Sequence, residues 1–209
     1  MSDKAVLLEE LRKKLEKSYQ TLPLAIKKED LVHGEGDPEA KVMCIGEAPG
    51  REEAAQRRPF VGRSGQLLRK KLTEIGLPPE KVFISNIVKV RPPENRDPTP
   101  TEILAYRPFL NQEIEILQPE IIVTLGRFSM AKFLPEVKIS EVHGRLHKVV
   151  WEGRDLFIMP MYHPAAALRA TKMMESFTYD FKKLPKILSW LAEQTKTNNL
   201  KGNIKDILF

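Results

Sequence analysis

Three side chains suited to acid–base and hydrogen-bond chemistry stand at the ends of short apolar runs. VMCIGEAPG (42–50) runs into Glu47 and then stops in Ala48-Pro49-Gly50. VFISNI (82–87) carries Asn86 near its end, and LFIMPM (156–161) is followed by Tyr162 and His163. A carboxylate can position water, an amide offers a donor and an acceptor side by side, and an imidazole can donate to a developing anion. Each alone is a weak signal, because a strand-end Asn commonly caps a turn and a lone His is commonly structural. Three such groups at corresponding strand tips make a site.

The elements that must position them follow from periodicity. KVMCIG (41–46), VFISNI (82–87), EIIVTLG (120–126, ending at Gly126) and LFIMPM are too short for buried helices and rich in Val and Ile. They read as strands buried on both faces. Between them lie helical patterns: SGQLLRKKLTEIG (64–76), TPTEILAYRPFLNQEIEILQP (99–119) and RFSMAKFL (127–134). This alternation predicts an α/β fold, three-layer α/β/α, with a central four-stranded parallel sheet. In such sheets ligands bind outside the carboxyl ends of the strands, where Glu47, Asn86 and His163 lie. ISEVHGRLHKVVW (139–151) reads as further extended structure. FTYDFKKLPKILSWLAEQ (177–194) reads as helix with a kink or restart at Pro185. One domain over 1–194 and a polar tail over 195–209, ending IKDILF, are expected.

Composition narrows the class. The chain has 209 residues, 42% of them hydrophobic and 30% charged, as in soluble globular proteins. No apolar run is long enough to span a membrane. MSDKAVLLEELRKKLEKSY has the spacing of an amphipathic helix and not the form of a signal peptide. A single cysteine, Cys44, inside a strand, excludes a disulfide within the chain and reads as a buried thiol. With four scattered histidines it argues against a metal site. An intracellular protein with no cofactor is expected. The net charge is +6, and residues 51–96 alone hold eleven Lys/Arg against five Glu. That local excess points to a polyanion, most simply nucleic acid. There is no GxGxxG or P-loop motif to support a nucleotide-binding alternative.

GEAPGREEAAQRRPFVGRSGQLL (46–68), SNIVKVRPPENRDPTPTE (85–102) and YHPAAALR (162–169) resemble the uracil-DNA glycosylase superfamily. The chain is most similar to its family 4, the thermostable bacterial and archaeal type. The likeness spans about residues 34–190. A branch that traps abasic DNA through a histidine in an inserted loop is less similar, because Asn86 here runs into Arg-Pro-Pro without that insert.

The resemblance implies an enzyme that flips uracil out of single- or double-stranded DNA and hydrolyses its bond to the sugar. It implies Glu47 and His163 as catalytic residues, with Glu47 alternatively shaping the pocket by accepting backbone N–H bonds. It implies uracil contacts from Gly46, Ala48, Phe60 (stacking) and Asn86 (the Watson–Crick edge). DNA contacts would come from Arg63, Ser64, Gly65, Arg91, Arg96, Pro164, Ala165, Leu168 and Arg169, with Leu168 as a wedge. A monomer in a prokaryotic cytoplasm is expected.

The chain departs from the family at its iron–sulfur cysteines. Those positions fall at Tyr19, Leu22, Val90 and Tyr106, none of which supplies a thiolate. They are expected to form a small apolar core in place of the cluster. This departure leaves two alternatives: a noncatalytic binder of uracil or abasic DNA, and a glycosylase for another deaminated base such as hypoxanthine.

Overall fold

The computed structural model describes residues 2–197. Most of the tail, including IKDILF, lies outside the described residues. The helices are α1 (Asp3–Lys17), α2 (Arg51–Gln56), α3 (Arg63–Glu74), α4 (Pro100–Leu117), α5 (Arg127–Ala131), α6 (Ile139–Val142), α7 (Pro164–Ala167) and α8 (Thr171–Thr197). The strands are β1 (Glu35–Gly36), β2 (Val42–Gly46), β3 (Val82–Asn86), β4 (Ile121–Leu125), β5 (His147–Trp151) and β6 (Arg154–Met161). They form one sheet in the order β1-β3-β2-β4-β6-β5.

The inner four strands are the four apolar runs, and they pair in parallel. The expectation of a four-stranded parallel sheet is nevertheless wrong. The sheet has six strands and is mixed, because β1 pairs antiparallel with β3 and β5 antiparallel with β6. The reason is local. β1 is only Glu35 and Gly36, with no apolar signature. β5 turns back into β6 through Glu152 and Gly153, both at positive φ (49° and 77°), as a tight hairpin requires. Both additions cover ladder edges that would otherwise be open. Within 139–151, residues Ile139–Val142 form a helical turn, so only the second half is extended. Helix α8 begins earlier than the sequence suggests and contains Pro185 without restarting.

Helices cover both faces of the sheet. Met43, Ile45, Phe83, Ile122 and Ile158 pack on one side with Leu11 and Leu15 of α1 and Tyr106, Leu110 and Ile114 of α4. Val42, Cys44, Ile84, Val123 and Met159 pack on the other with Leu68 and Leu72 of α3 and Phe177, Phe181 and Leu184 of α8. Every residue of β2, β3 and β4 is buried, which is why these strands read as nearly continuous apolar runs, broken only by Ser85, Asn86 and Thr124. Among the described residues no helix is long and apolar enough to cross a membrane.

The positions of the family's cluster ligands lie together on the α1–α4 side. Leu22, Val90 and Tyr106 are buried members of that apolar core, and Tyr19 packs against it. The Tyr106 hydroxyl donates to the Pro23 carbonyl at 2.6 Å, tying α4 to the segment after Leu22. Cys44 is on the opposite face of the sheet, where burial pushes its thiol up to about 12. These residues do not fit an iron–sulfur cluster: there are no thiolates to bind it, and side chains fill the place.

Candidate active site

The register sets the site. Gly46 of β2 and Asn86 of β3 are Cα partners, so both side-chain positions face the α3 side at the carboxyl edge. Ile87 N–H donates to the Gly46 carbonyl (3.1 Å) and Val88 N–H to the Glu47 carbonyl (3.0 Å), which carries the alignment past the strand ends. Gly126 N–H donates to the Met161 carbonyl at 2.9 Å, levelling the tips of β4 and β6. Above these tips opens a cleft of about 680 Å³.

Of the residues expected at a site, Glu47, Ala48, Phe60, Ser64, Asn86, Arg96, His163, Ala165 and Arg169 line this cleft. Gly46, Gly65 and Pro164 are buried and are not part of its wall. Arg63, Arg91 and Leu168 are also outside the lining, with Leu168 exposed at 41%.

Asn86 is 3% exposed, and its Oδ1 has no hydrogen-bond partner. Among the described residues only Thr124 Oγ1 shares that condition. A buried amide oxygen left unpaired is costly, so it marks a place where a ligand donor belongs. Phe60 lies beside it over Gly46. Phe60 is held at φ 54°, a left-handed conformation rare for a bulky residue. The first turn of α3 makes this possible, because a Cβ at Gly65 would come within 2.0 Å of the Phe60 carbonyl carbon. Gly65 therefore lets the Phe60 backbone approach.

His163 caps α7. Its Nδ1 accepts the Ala165 N–H at 3.2 Å, which leaves the ring proton on Nε2. Burial pushes its pKa down to about 4; nearby Arg169 adds to the fall and Glu53 opposes it. The ring is therefore neutral at physiological pH. Its centroid is 5.9 Å from that of Phe60.

The Glu47 carboxyl behaves oppositely. Burial pushes it up to about 7, Asp97 adds to the rise, and Arg127 opposes it. Its side chain has no hydrogen bond among the described residues. The loop-shaping role conceivable for Glu47 belongs to Glu53, which sequence reasoning missed. The Glu53 carboxylate accepts Gly50 N–H (3.2 Å), Val61 N–H (2.9 Å) and Gly62 N–H (2.8 Å). One side chain thus joins the loop after β2 to the loop that presents Phe60. Its place three residues after the helix-starting Gly50 was the available signal, the capping-box position.

Asp97 and Arg127 were missed as well; both line the cleft and form an ion pair. Tyr162 also lines it and is backed by His143 at a ring-centroid distance of 4.4 Å. His143 Nδ1 lies 2.7 Å from Asp180, a carboxylate 1% exposed.

The basic stretch 51–96 is less available than its charge suggests. Seven of its eleven cations pair with carboxylates: Arg51, Arg57, Arg58, Arg69, Lys71, Lys89 and Arg96. Arg96 forks onto Glu102 at 2.9 and 2.6 Å, and that bond is the main reason the Glu102 carboxyl falls to about 2. Arg91 donates to Asn95 at 2.8 Å.

Comparison with known proteins agrees with this geometry. Residues 33–190 match the uracil DNA glycosylase superfamily. The chain is 43% identical over 159 residues to the type-4 uracil-DNA glycosylase of Sulfurisphaera tokodaii, covering 73% of this chain and 72% of that one. It is 41% identical over 163 residues to the type-4 enzyme of Archaeoglobus fulgidus, covering 75% and 81%. With the type-5 enzyme of Thermus thermophilus, identity is 35% over 118 residues, covering 49% and 53%. With a profile match across the whole sheet and identities above forty percent to type-4 members, the chain belongs to the uracil DNA glycosylase superfamily, in its type-4 family.

Proposed function

We propose that this protein excises uracil from DNA by hydrolysing the N-glycosidic bond, and that it does so without an iron–sulfur cluster. The observation that carries the reading is the unpaired Asn86 Oδ1 at the base of a cleft beside Phe60. Uracil presents an N3–H donor next to the O4 acceptor. An amide whose oxygen takes N3–H and whose NH₂ gives to O4 satisfies both. Cytosine has an unprotonated N3 and an amino group at C4, so it would leave both amide groups mismatched in a buried place.

Phe60 supports the flipped base from one side, contributing about 1–3 kcal/mol by stacking. A neutral His163 with its proton on Nε2 donates to uracil O2, where negative charge gathers as the bond breaks. The C1′–N1 pair leaves with the base, which departs as an anion. An ionised Glu47 favours the cationic sugar and orients water toward C1′. The water proton passes to the carboxylate, its oxygen bonds C1′, and the abasic sugar remains. The half-titrated state of Glu47 near pH 7 suits both holding and releasing that proton.

Ser64 and Arg169 at the cleft wall, with Arg63 at the start of α3, are the backbone contacts this reading favours. Leu168, exposed just after α7, suits a wedge that fills the vacated stack.

Excision from single-stranded and duplex oligonucleotides carrying one uracil tests the reading. Turnover by the wild type and a loss of about 10²–10³-fold in His163→Ala is expected, with a comparable loss in Asn86→Ala. Tight retention of the uracil strand without turnover would overturn it in favour of a binder. Faster cleavage at hypoxanthine than at uracil would move the substrate.

A further inference from the structure

Glu47 sits at the tip of β2, and β2 lies between β3 and β4 in the sheet. Residues from the connections that leave those two neighbours meet at the same cleft. Asp97 belongs to the connection from β3 to α4, and Arg127 is the first residue of α5, directly after β4. Their side chains form an ion pair, and all three residues line the cleft. The pair therefore joins the connections that leave β3 and β4, at the cleft that Glu47 also lines.

Both ends of the bridge are braced. Arg96 donates to the Asp97 carbonyl at 2.9 Å while forking onto Glu102. Glu102 also accepts Thr99 N–H at 2.8 Å, which fixes the start of α4. Arg127 lies over the ring of Phe128, with its guanidinium carbon 4.5 Å from the centroid. We propose that Arg127 and Asp97 are positioning residues for Glu47, a strap that ties the loop after β3 to the start of α5 and places two opposed charges in the cleft that this carboxyl lines. The proposal rests on the reading of Glu47 as the residue that handles water.

Other charged and titratable groups reach the cleft: Arg51 and Glu53 from α2, Arg96 from the Pro-rich loop, Tyr162 and His163 from the tip of β6, and Arg169 beyond α7. Arg51 is paired with Glu52, Arg96 with Glu102, and Glu53 with backbone N–H groups. His163 is neutral near pH 7. Arg169 acts on His163. The charges that act on Glu47 are Asp97, which favours its protonated form, and Arg127, which favours its anion. Both strap side chains are more than half exposed, so the pair itself adds little stability. Its effect is on the carboxyl behind it.

The test is the acid limb of single-turnover excision, measured for wild type, Asp97→Asn, Arg127→Gln and the double variant. Asp97→Asn should move the limb to lower pH and Arg127→Gln to higher pH, each by about one pH unit, with the double variant returning toward wild type. A purely structural role would lower the rate without moving the limb. Shifts in one direction for both variants, or limbs that stay in place while Glu47→Gln is inactive, would overturn the strap.

Glu47 ionisation is read separately by NMR of isotope-labelled carboxyl carbons, assigned by the signal lost in Glu47→Gln. The same opposite shifts must appear there. If they do while Glu47→Gln excises normally, the strap stands and the catalytic reading of Glu47 falls. If the Glu47 signal does not respond to either substitution, the strap falls whatever the kinetics.

Discussion

A Cβ on residue 46 would lie 2.4 Å from Asn86 Oδ1 and 2.4 Å from Phe60 Cζ. The amide and the aromatic ring both occupy space that only a glycine on the neighbouring strand leaves open, and the register of β2 on β3 puts them there. Gly46→Ala should therefore displace both groups without disturbing the core of the strand. Excision should fall by about 100-fold, the scale of an ångström-sized misplacement, while circular dichroism stays native. Near-normal activity would show that Asn86 and Phe60 do not form the base pocket together.

Glu53 holds two loops with three backbone hydrogen bonds. Gln in its place keeps one acceptor oxygen and turns a donor group toward backbone N–H. Glu53→Gln should lower unfolding free energy by about 1–3 kcal/mol. It should also open the 48–62 segment to limited proteolysis before the rest of the molecule. Urea unfolding and a protease time course check the two effects. Uniform proteolysis, with no early cut in 48–62, would remove the stapling role.

Glu47 carries an ionisation cost that shows in stability. Its carboxyl is raised to about 7 by burial. The unfolded chain ionises in the usual carboxylate range, about 4.3. The folded state therefore binds more protons between those values, and stability is lost as pH rises through about 7. Glu47→Gln mimics the protonated form at every pH. Its melting temperature should exceed wild type by a margin that grows from about pH 5 to about pH 8. A margin that shrinks with pH would mean that Glu47 is stabilised as an anion.

Tyr106 occupies a position where the family carries a cluster ligand, and its hydroxyl satisfies the Pro23 carbonyl. Tyr106→Phe keeps the packing and removes one hydrogen bond, so a loss of about 1 kcal/mol is expected with excision unchanged. Tyr106→Ala empties a fully buried site and should cost about 3–5 kcal/mol. If Tyr106→Phe abolished excision with stability intact, this region would have to act on the reaction as well as on the fold.

The four parallel strands were legible because burial on both faces leaves a mostly apolar run in each. Glu47, Asn86 and His163 were legible because each ends or follows such a run, and parallel strands bring those ends to one rim. The edge strands were not. Glu35–Gly36 carries no apolar pattern, and the pairing of β5 depends on a turn at Glu152 and Gly153. The basic stretch was legible as charge and misleading as surface. Lys89, for one, is fully buried against Glu113 and Ser85.

Sequence alone determined what the four inner strands bury and which polar groups stand at their ends, because periodicity and strand-end residues are local records of burial. Tertiary structure alone decided how those groups are charged and braced. Arg127 meets Asp97 across thirty residues, Glu53 joins loops on either side of α2, and His163 is neutral because the fold encloses it. Those outcomes depend on strand order and loop approach, and no local stretch of sequence contains either.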